Sequence, residues 1–178
     1  EGKIDVMKNI SCKDTLRCRA QEAADFIITN PPWGARLSEI EEIDKNFSNS
    51  PFRKRDSFAY FLLYALRATK VDGEVNFVLP TAFLNVKAHE PLRQYILKNY
   101  KVVSLRTIDE RFSGVLTTSI TIRIKKEKPR NNHKIVIDGK SRVHVSAIDI
   151  LRKQGTKIPI FDSPAIDSIL TAIRDRSD

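Results

Sequence analysis

Apolar residues in this chain fall in short runs, and the period within each run names its element. Asp25-Phe26-Ile27-Ile28-Thr29 is a compact apolar run closed by Asn30-Pro31-Pro32, the length and ending of a buried parallel strand. Glu74 to Leu79, ended by Pro80, and Lys101 to Ile108 read as two further strands. Thr117 to Ile124 sets Ser119, Thr121 and Arg123 against Ile120, Ile122 and Ile124, the alternation of a half-buried strand. Asp56 to Lys70 instead spaces Phe58, Phe61, Leu62, Ala65 and Leu66 along one helical face, and Val71-Asp72-Gly73 stops it. Ala88 to Tyr100 predicts a second helix with Leu92, Tyr95 and Ile96 together and Pro91 in its first turn, where the missing N–H costs nothing. Lys8 to Cys12 is a short strand candidate, followed by Asp14 and a weakly helical stretch. Gly34 to Phe52 is polar, rich in Asn and Ser, and reads as a long loop.

Strand, helix, strand, helix, strand is the rhythm of an α/β sheet with crossover helices. Only the loop Asp109 to Leu116 separates the last two strands, which allows an antiparallel pair at the sheet edge. From Lys125 the texture changes. Lys125 to Asn132 is charged and linker-like, and Ile135-Val136-Ile137 and Val143-His144-Val145 flank an Asp138-Gly139 turn. Ser163 to Arg174 predicts a helix, with Ser163 as cap and Pro164 first. The expected organisation is a catalytic-type α/β unit over 1–126, then a linker and small α+β appendage over 127–178.

Composition narrows the setting. At 178 residues one domain with an appendage is the default. No apolar run approaches the roughly 18 residues that span a bilayer, and the N-terminus has no signal-peptide core. A cytoplasmic location without a membrane partner is the expectation. Cys12 and Cys18, with three scattered histidines, match no zinc spacing, so two reduced thiols and no metal are expected. The formal charge of +9 favours polyanions through phosphate neutralisation, although a basic surface also serves solubility alone.

The sharpest chemistry lies at Asn30-Pro31-Pro32-Trp33. Sites in open α/β sheets lie beyond the carboxyl ends of strands. Two prolines stiffen the loop, Asn30 offers a side-chain acceptor, the Pro31 carbonyl offers a second, and Trp33 offers a flat stacking surface. Two acceptors beside an aromatic plate suit an exocyclic NH2 on a planar ring. The lone pair of an aryl amine is delocalised, and hydrogen bonds from both N–H groups favour the more tetrahedral, nucleophilic nitrogen. Those bonds strengthen as positive charge develops during methyl transfer. A Pro-Pro-aromatic motif of this kind arises by chance in roughly half a percent of chains this long. The alternative is a rigid proline turn with a packed tryptophan.

The segment Asp25 to Trp33 resembles the catalytic strand and loop of the gamma-class N6-adenine DNA methyltransferases of restriction-modification systems, type I modification subunits and type IIG-like enzymes among them. The resemblance runs over roughly Lys8 to Lys126. It implies a partial Rossmann-like methyltransferase sheet, the C-terminal half of the catalytic domain, with S-adenosyl-L-methionine as cofactor. It implies Asn30, Pro31, Pro32 and Trp33 as the catalytic loop. Asp14 resembles the family acid that binds the adenine amino group of the cofactor, with a turn aspartate as the other reading. Phe58 to Lys70 with Asp72-Gly73 resembles a family helix and its turn, and Phe77-Val78-Leu79-Pro80 the next strand. Phe112 resembles the aromatic that holds the flipped base opposite Trp33, or is an ordinary loop anchor.

The family also carries a glycine-rich cofactor loop, and none of the six glycines here forms Gly-x-Gly. The expectation is that the chain starts partway through the catalytic domain and is inactive alone. The implied partner is double-stranded DNA with an adenine extruded from the stack, together with a specificity subunit or further domains. Arg53-Lys54-Arg55 stands where it would meet phosphates, or is a solvated run before a helix. Lys125, Lys126, Lys128 and Arg130 grip DNA or are linker charge. His89, His133 and His144 read as surface or packing residues. Two other functions stay open: methylation of an RNA base or a protein glutamine amide, and a catalytically silent nucleic-acid-binding domain.

Overall fold

Apolar alternation translates directly into one six-stranded sheet of order β1-β2-β4-β3-β5-β6. Its strands are β1 (Ala24–Thr29), β2 (Thr69–Pro80), β3 (Lys101–Ile108), β4 (Ser119–Lys125), β5 (Lys134–Asp138) and β6 (Arg142–Ser146). The computed structural model describes residues 10–35, 37, 43, 47, 56–108, 118–139 and 141–159. β1, β2, β3 and β5 run parallel, while β4 and β6 oppose their neighbours. The carboxyl ends of four strands, at Thr29, Pro80, Ile108 and Asp138, therefore share one edge of the sheet. This is an α/β sheet of the expected class.

The core lies between one sheet face and the helices α1 (Ser57–Ala68) and α2 (Glu90–Asn99). Val75, Phe77 and Leu79 of β2 and Ile120, Ile122 and Ile124 of β4 are each at most 1% exposed, so the alternating residues do face inward. Leu62 and Leu66 of α1 and Leu92 and Ile96 of α2 meet them from above. Pro91 sits in the first turn of α2 as predicted. At the base of the sheet Gly73 is required by close approach: a Cβ there would lie 2.8 Å from the Asp25 carbonyl oxygen. Asp72 beside it takes a left-handed φ of 64°, as β2 carries extra residues opposite β1.

Several details depart from the sequence reading. The antiparallel pair β3–β4 is not at the edge: β4 fills the gap between β2 and β3, because β5 pairs parallel to the outer side of β3. The edge pair is β5–β6, whose strands were expected beyond the 126/127 boundary and which extend the same sheet. β1 is not buried on both faces. Phe26 is 67% and Ile28 81% exposed, because β1 is the outermost described strand and its outer face is uncovered. Ile10 to Cys12 form no strand, and Lys8 lies outside the described residues. Ile43 and Phe47, read as loop, are core residues joined by a helical Phe47 N–H to Ile43 C=O bond of 3.2 Å.

A short helix, α3 (Ala147–Arg152), follows β6 directly and escaped the sequence reading. Its signal was present: the Ser146 side chain caps it by accepting from the Asp149 N–H at 3.4 Å. The helix expected over 163–174 lies outside the described residues. Lys125 and Lys126 are occupied in closing the sheet rather than free for a polyanion. Lys125 pairs with Glu127 at 3.0 Å and Asp72 at 3.3 Å. Lys126 donates to the Thr69 carbonyl at 2.5 Å and pairs with Glu22 at 3.3 Å.

Candidate active site

The sheet edge at the carboxyl end of β1 carries the Asn30-Pro31-Pro32-Trp33 corner, and three separate anchors fix it. Pro31 is buried while Asn30 and Pro32 are exposed. The Trp33 ring lies half-buried against the core, and its Nε1–H donates to the Val78 carbonyl of β2 at 3.2 Å. The Ser57 hydroxyl, fully buried at the start of α1, donates to the Pro32 carbonyl at 2.6 Å. The same hydroxyl accepts the Ala35 N–H at 3.2 Å. The chain then turns at Gly34, whose φ of 65° suits glycine.

Ser57 is a positioning residue that the sequence reading missed. Nothing in its neighbourhood marks it except its place as first residue of a strongly apolar helix, where a serine has no packing value. Asp56 precedes it at the helix cap but forms no side-chain cap. Its carboxylate instead faces His89 Nδ1 at 3.4 Å, and the His89 ring stands edge-on to Phe58 at 5.2 Å. His89 therefore takes the packing role expected of it, with Asp56 as a specific partner besides. His133 likewise meets the Val102 carbonyl through Nε2 at 2.7 Å.

The anchored corner leaves the exposed Asn30 amide available. The Asn30 side chain and the Pro31 carbonyl have no hydrogen-bond partner among the described residues, whereas the Pro32 carbonyl is occupied by Ser57. An exposed amide held at a rigid corner is a ready acceptor, since little ordering entropy remains to be lost on binding. The Trp33 indole is fixed by its Nε1 bond, so one of its surfaces packs on the protein. Beside the corner, the end of β2 is stitched to the start of β4: Thr81 N–H and Oγ1 both lie 3.1 Å from the Thr118 carbonyl oxygen.

Asp14 sits apart from this constellation. It caps the short turn Thr15–Arg17, its Oδ1 accepting from the Leu16 N–H at 3.1 Å and its Oδ2 facing Arg17 Nε at 3.3 Å. Among the described residues no hydrogen bond or ion pair joins it to the motif. The expected DNA contacts Arg53, Lys54 and Arg55 and the stacking residue Phe112 lie outside the described residues. The structure thus brings together Asn30, Pro31, Pro32 and Trp33 with Ser57 and Val78.

Comparison with known proteins gives a consistent set. A profile described as Eco57I restriction-modification methylase matches residues 3–112. The type II methyltransferase M.VspI of Vibrio sp. (strain 343) is 30% identical over 141 residues, 78% of this chain and 34% of that protein. The type II methyltransferase M.HincII of Haemophilus influenzae is 30% identical over 151 residues, 78% of this chain and 29% of its own length. The chain thus spans about a third of the length of the curated relatives it matches. Among solved structures, a type I restriction-modification methyltransferase subunit from Streptococcus thermophilus superposes with a TM-score of 0.57 at 24% identity, covering 93% of this chain and 36% of that one. The type IIG restriction endonuclease BpuSI gives a TM-score of 0.55 at 10% identity, over 70% of this chain and 16% of its own.

Proposed function

This chain belongs to the Eco57I restriction-modification methylase family, and on that premise we propose that it carries the amine-holding part of an enzyme that methylates N6 of adenine in DNA. The observation that carries the reading is the exposed Asn30 amide, without a hydrogen-bond partner among the described residues, at a corner fastened by Ser57 and Trp33.

Asn30 Oδ1 and the Pro31 carbonyl accept the two amino N–H groups of the extruded base. The nitrogen lone pair is thereby drawn out of the ring and pointed away from the acceptors. As the nitrogen gains positive charge, both hydrogen bonds strengthen, which lowers the barrier without a base acting beforehand. The proton leaves after the new C–N bond has formed. Trp33 offers its outer ring surface for stacking, worth roughly 1–3 kcal/mol against the cost of extrusion.

The methyl group is supplied by S-adenosyl-L-methionine when bound. The residues in hand fit one end of that molecule. The Asp14 side chain is 51% exposed and spends its oxygens on one N–H and one guanidinium contact; a carboxylate has about four acceptor sites, so capacity remains for an adenine amino group. For the methionine end this sequence holds no Gly-x-Gly loop. The relatives are named type II methyltransferases and the family a restriction-modification methylase, which favours DNA over RNA or a protein amide.

The test is methyl transfer by the full-length protein to duplex DNA, RNA and peptide amide substrates. Transfer to adenine in duplex is expected. Asn30→Ala should lower kcat by about 10²-fold or more, the scale of losing one oriented acceptor, with DNA affinity nearly unchanged. Near-wild-type turnover in that variant refutes the amine clamp.

A further inference from the structure

A second opening lies on the same sheet edge, beyond the end of β2. It has a volume of about 470 Å³; Leu84, Ile158 and Pro159 form an apolar part of its lining, and Thr81, Asn85, Lys153, Gln154 and Lys157 supply the polar groups. Thr81 is three residues past Val78, the anchor of Trp33, or about 10 Å along a strand. No carboxylate lines it. Neither Lys153 nor Lys157 has an ion-pair partner among the described residues, so both ammonium charges are uncompensated there.

The cleft is built, and its builder is Arg93. This side chain of α2 is 0% exposed. Its Nη1 donates to Phe83 C=O at 2.6 Å and Val86 C=O at 2.9 Å, on the wall that follows β2. Its Nη2 donates to Gly155 C=O at 2.6 Å and its Nε to Thr156 C=O at 2.8 Å, on the wall that follows α3. The Ile158 N–H bonds the Leu84 carbonyl at 3.0 Å and completes the seam. Across this seam the chain is forced left-handed at Gly155 (φ 76°) and at Thr156 (φ 45°). A non-glycine residue in that region is strained, and such strain gathers where a loop is held for binding. The result is that Lys153 and Lys157 flank a strained, pinned turn and both line one opening.

We infer that this cleft seats the sugar–phosphate backbone of the DNA strand beside the extruded base. The inference rests on the adenine-methylation reading and deepens it by assigning a backbone-positioning site to Lys153, Lys157, Gln154 and Asn85. Phosphate contacts fix register and orientation without reading sequence, which is what a base held at Asn30 requires of its neighbours.

The test is binding of short fluorescent duplexes of two unrelated sequences to the full chain, measured from about 50 to 200 mM salt. Each lysine–phosphate contact contributes about 0.9 to the slope of log K against log salt. Lys153→Gln with Lys157→Gln should therefore flatten the slope by about 1.8 and weaken both duplexes alike. Lys157→Gln alone, at an exposed position, should remove about half of that and guards against misfolding of the double variant. Lys98→Gln, exposed in the last turn of α2, should change nothing. An unchanged slope in the double variant overturns the cleft assignment while leaving adenine transfer by the full-length protein intact. Failure of the unmodified chain to bind duplex at the lowest salt overturns it too. So does a rise in Tm with inorganic phosphate alongside an unchanged DNA slope, which marks a small-anion site.

Discussion

Removing one hydroxyl from Ser57 tests whether the motif corner is held as described. In Ser57→Ala the Pro32 carbonyl loses its 2.6 Å donor and the Ala35 N–H its 3.2 Å acceptor. The net value of a hydrogen bond is about 1 kcal/mol. Pro32 is exposed, so water recovers part of its loss; Ala35 is half-buried and recovers less. The sum is about 1–2 kcal/mol, which lowers Tm by about 3–6 °C in a chain of this size. The urea midpoint should fall while the m-value stays constant, since the exposed surface is unchanged. The functional effect should be larger than the stability effect. Loosening a reacting group by about 1 Å costs about 10²-fold, and Ser57 touches no substrate, so kcat should fall with KM nearly constant in the full-length protein. A stability change below about 0.3 kcal/mol together with unaltered kcat would show that the prolines alone hold the corner.

Other expectations follow from the same geometry. Arg93→Met strips four carbonyls of their donor, those of Phe83 and Thr156 at buried residues, and should cost about 2–5 kcal/mol, read as a large fall in Tm; Arg93→Lys should recover little, because an ammonium cannot reproduce the planar fork. Burial lowers the Arg93 pKa against the opposing charge of Glu90. The Asp138 carboxyl is held below its usual range by Arg142 and then Arg106. A depressed folded-state pKa adds stability above the unfolded value of about 3.9, lost as pH falls through the folded value. Asp138→Asn should therefore reduce Tm at neutral pH and flatten its decline below about pH 4, checked by melts across an acid series.

What the sequence disclosed follows from how local each signal is. β3 and β4, the first turn of α2 and the corner after β1 are written in contiguous residues, and their periods and prolines read directly. Sheet order is not local. That β4 lies between β2 and β3 depends on what pairs with the far side of β3, and nothing in Ser119 to Lys125 states it. The exposure of Phe26 and Ile28 is also a matter of neighbours, since their apolarity promised burial. At the site, Asn30 and Trp33 announced themselves by an improbable tetrapeptide. Ser57 and Arg93 did not, because Ser57 bonds a carbonyl 25 positions away and Arg93 joins near partners to one 63 positions away. A buried arginine within a helix reads in sequence as an ordinary surface cation.

The insertion of β4 between two strands made earlier bears on how the molecule is synthesised. A nascent chain completes β2 and β3 before Ser119 to Lys125 leaves the ribosome, so until then each of those strands offers a naked flank where β4 will later hydrogen-bond. Vectorial folding cannot zip this sheet in order of appearance; its middle row arrives fourth. Slow closure and a window for wrong partners at that gap are the expected signature, and substitutions that quicken the arrival of β4 should raise soluble yield without altering the finished fold.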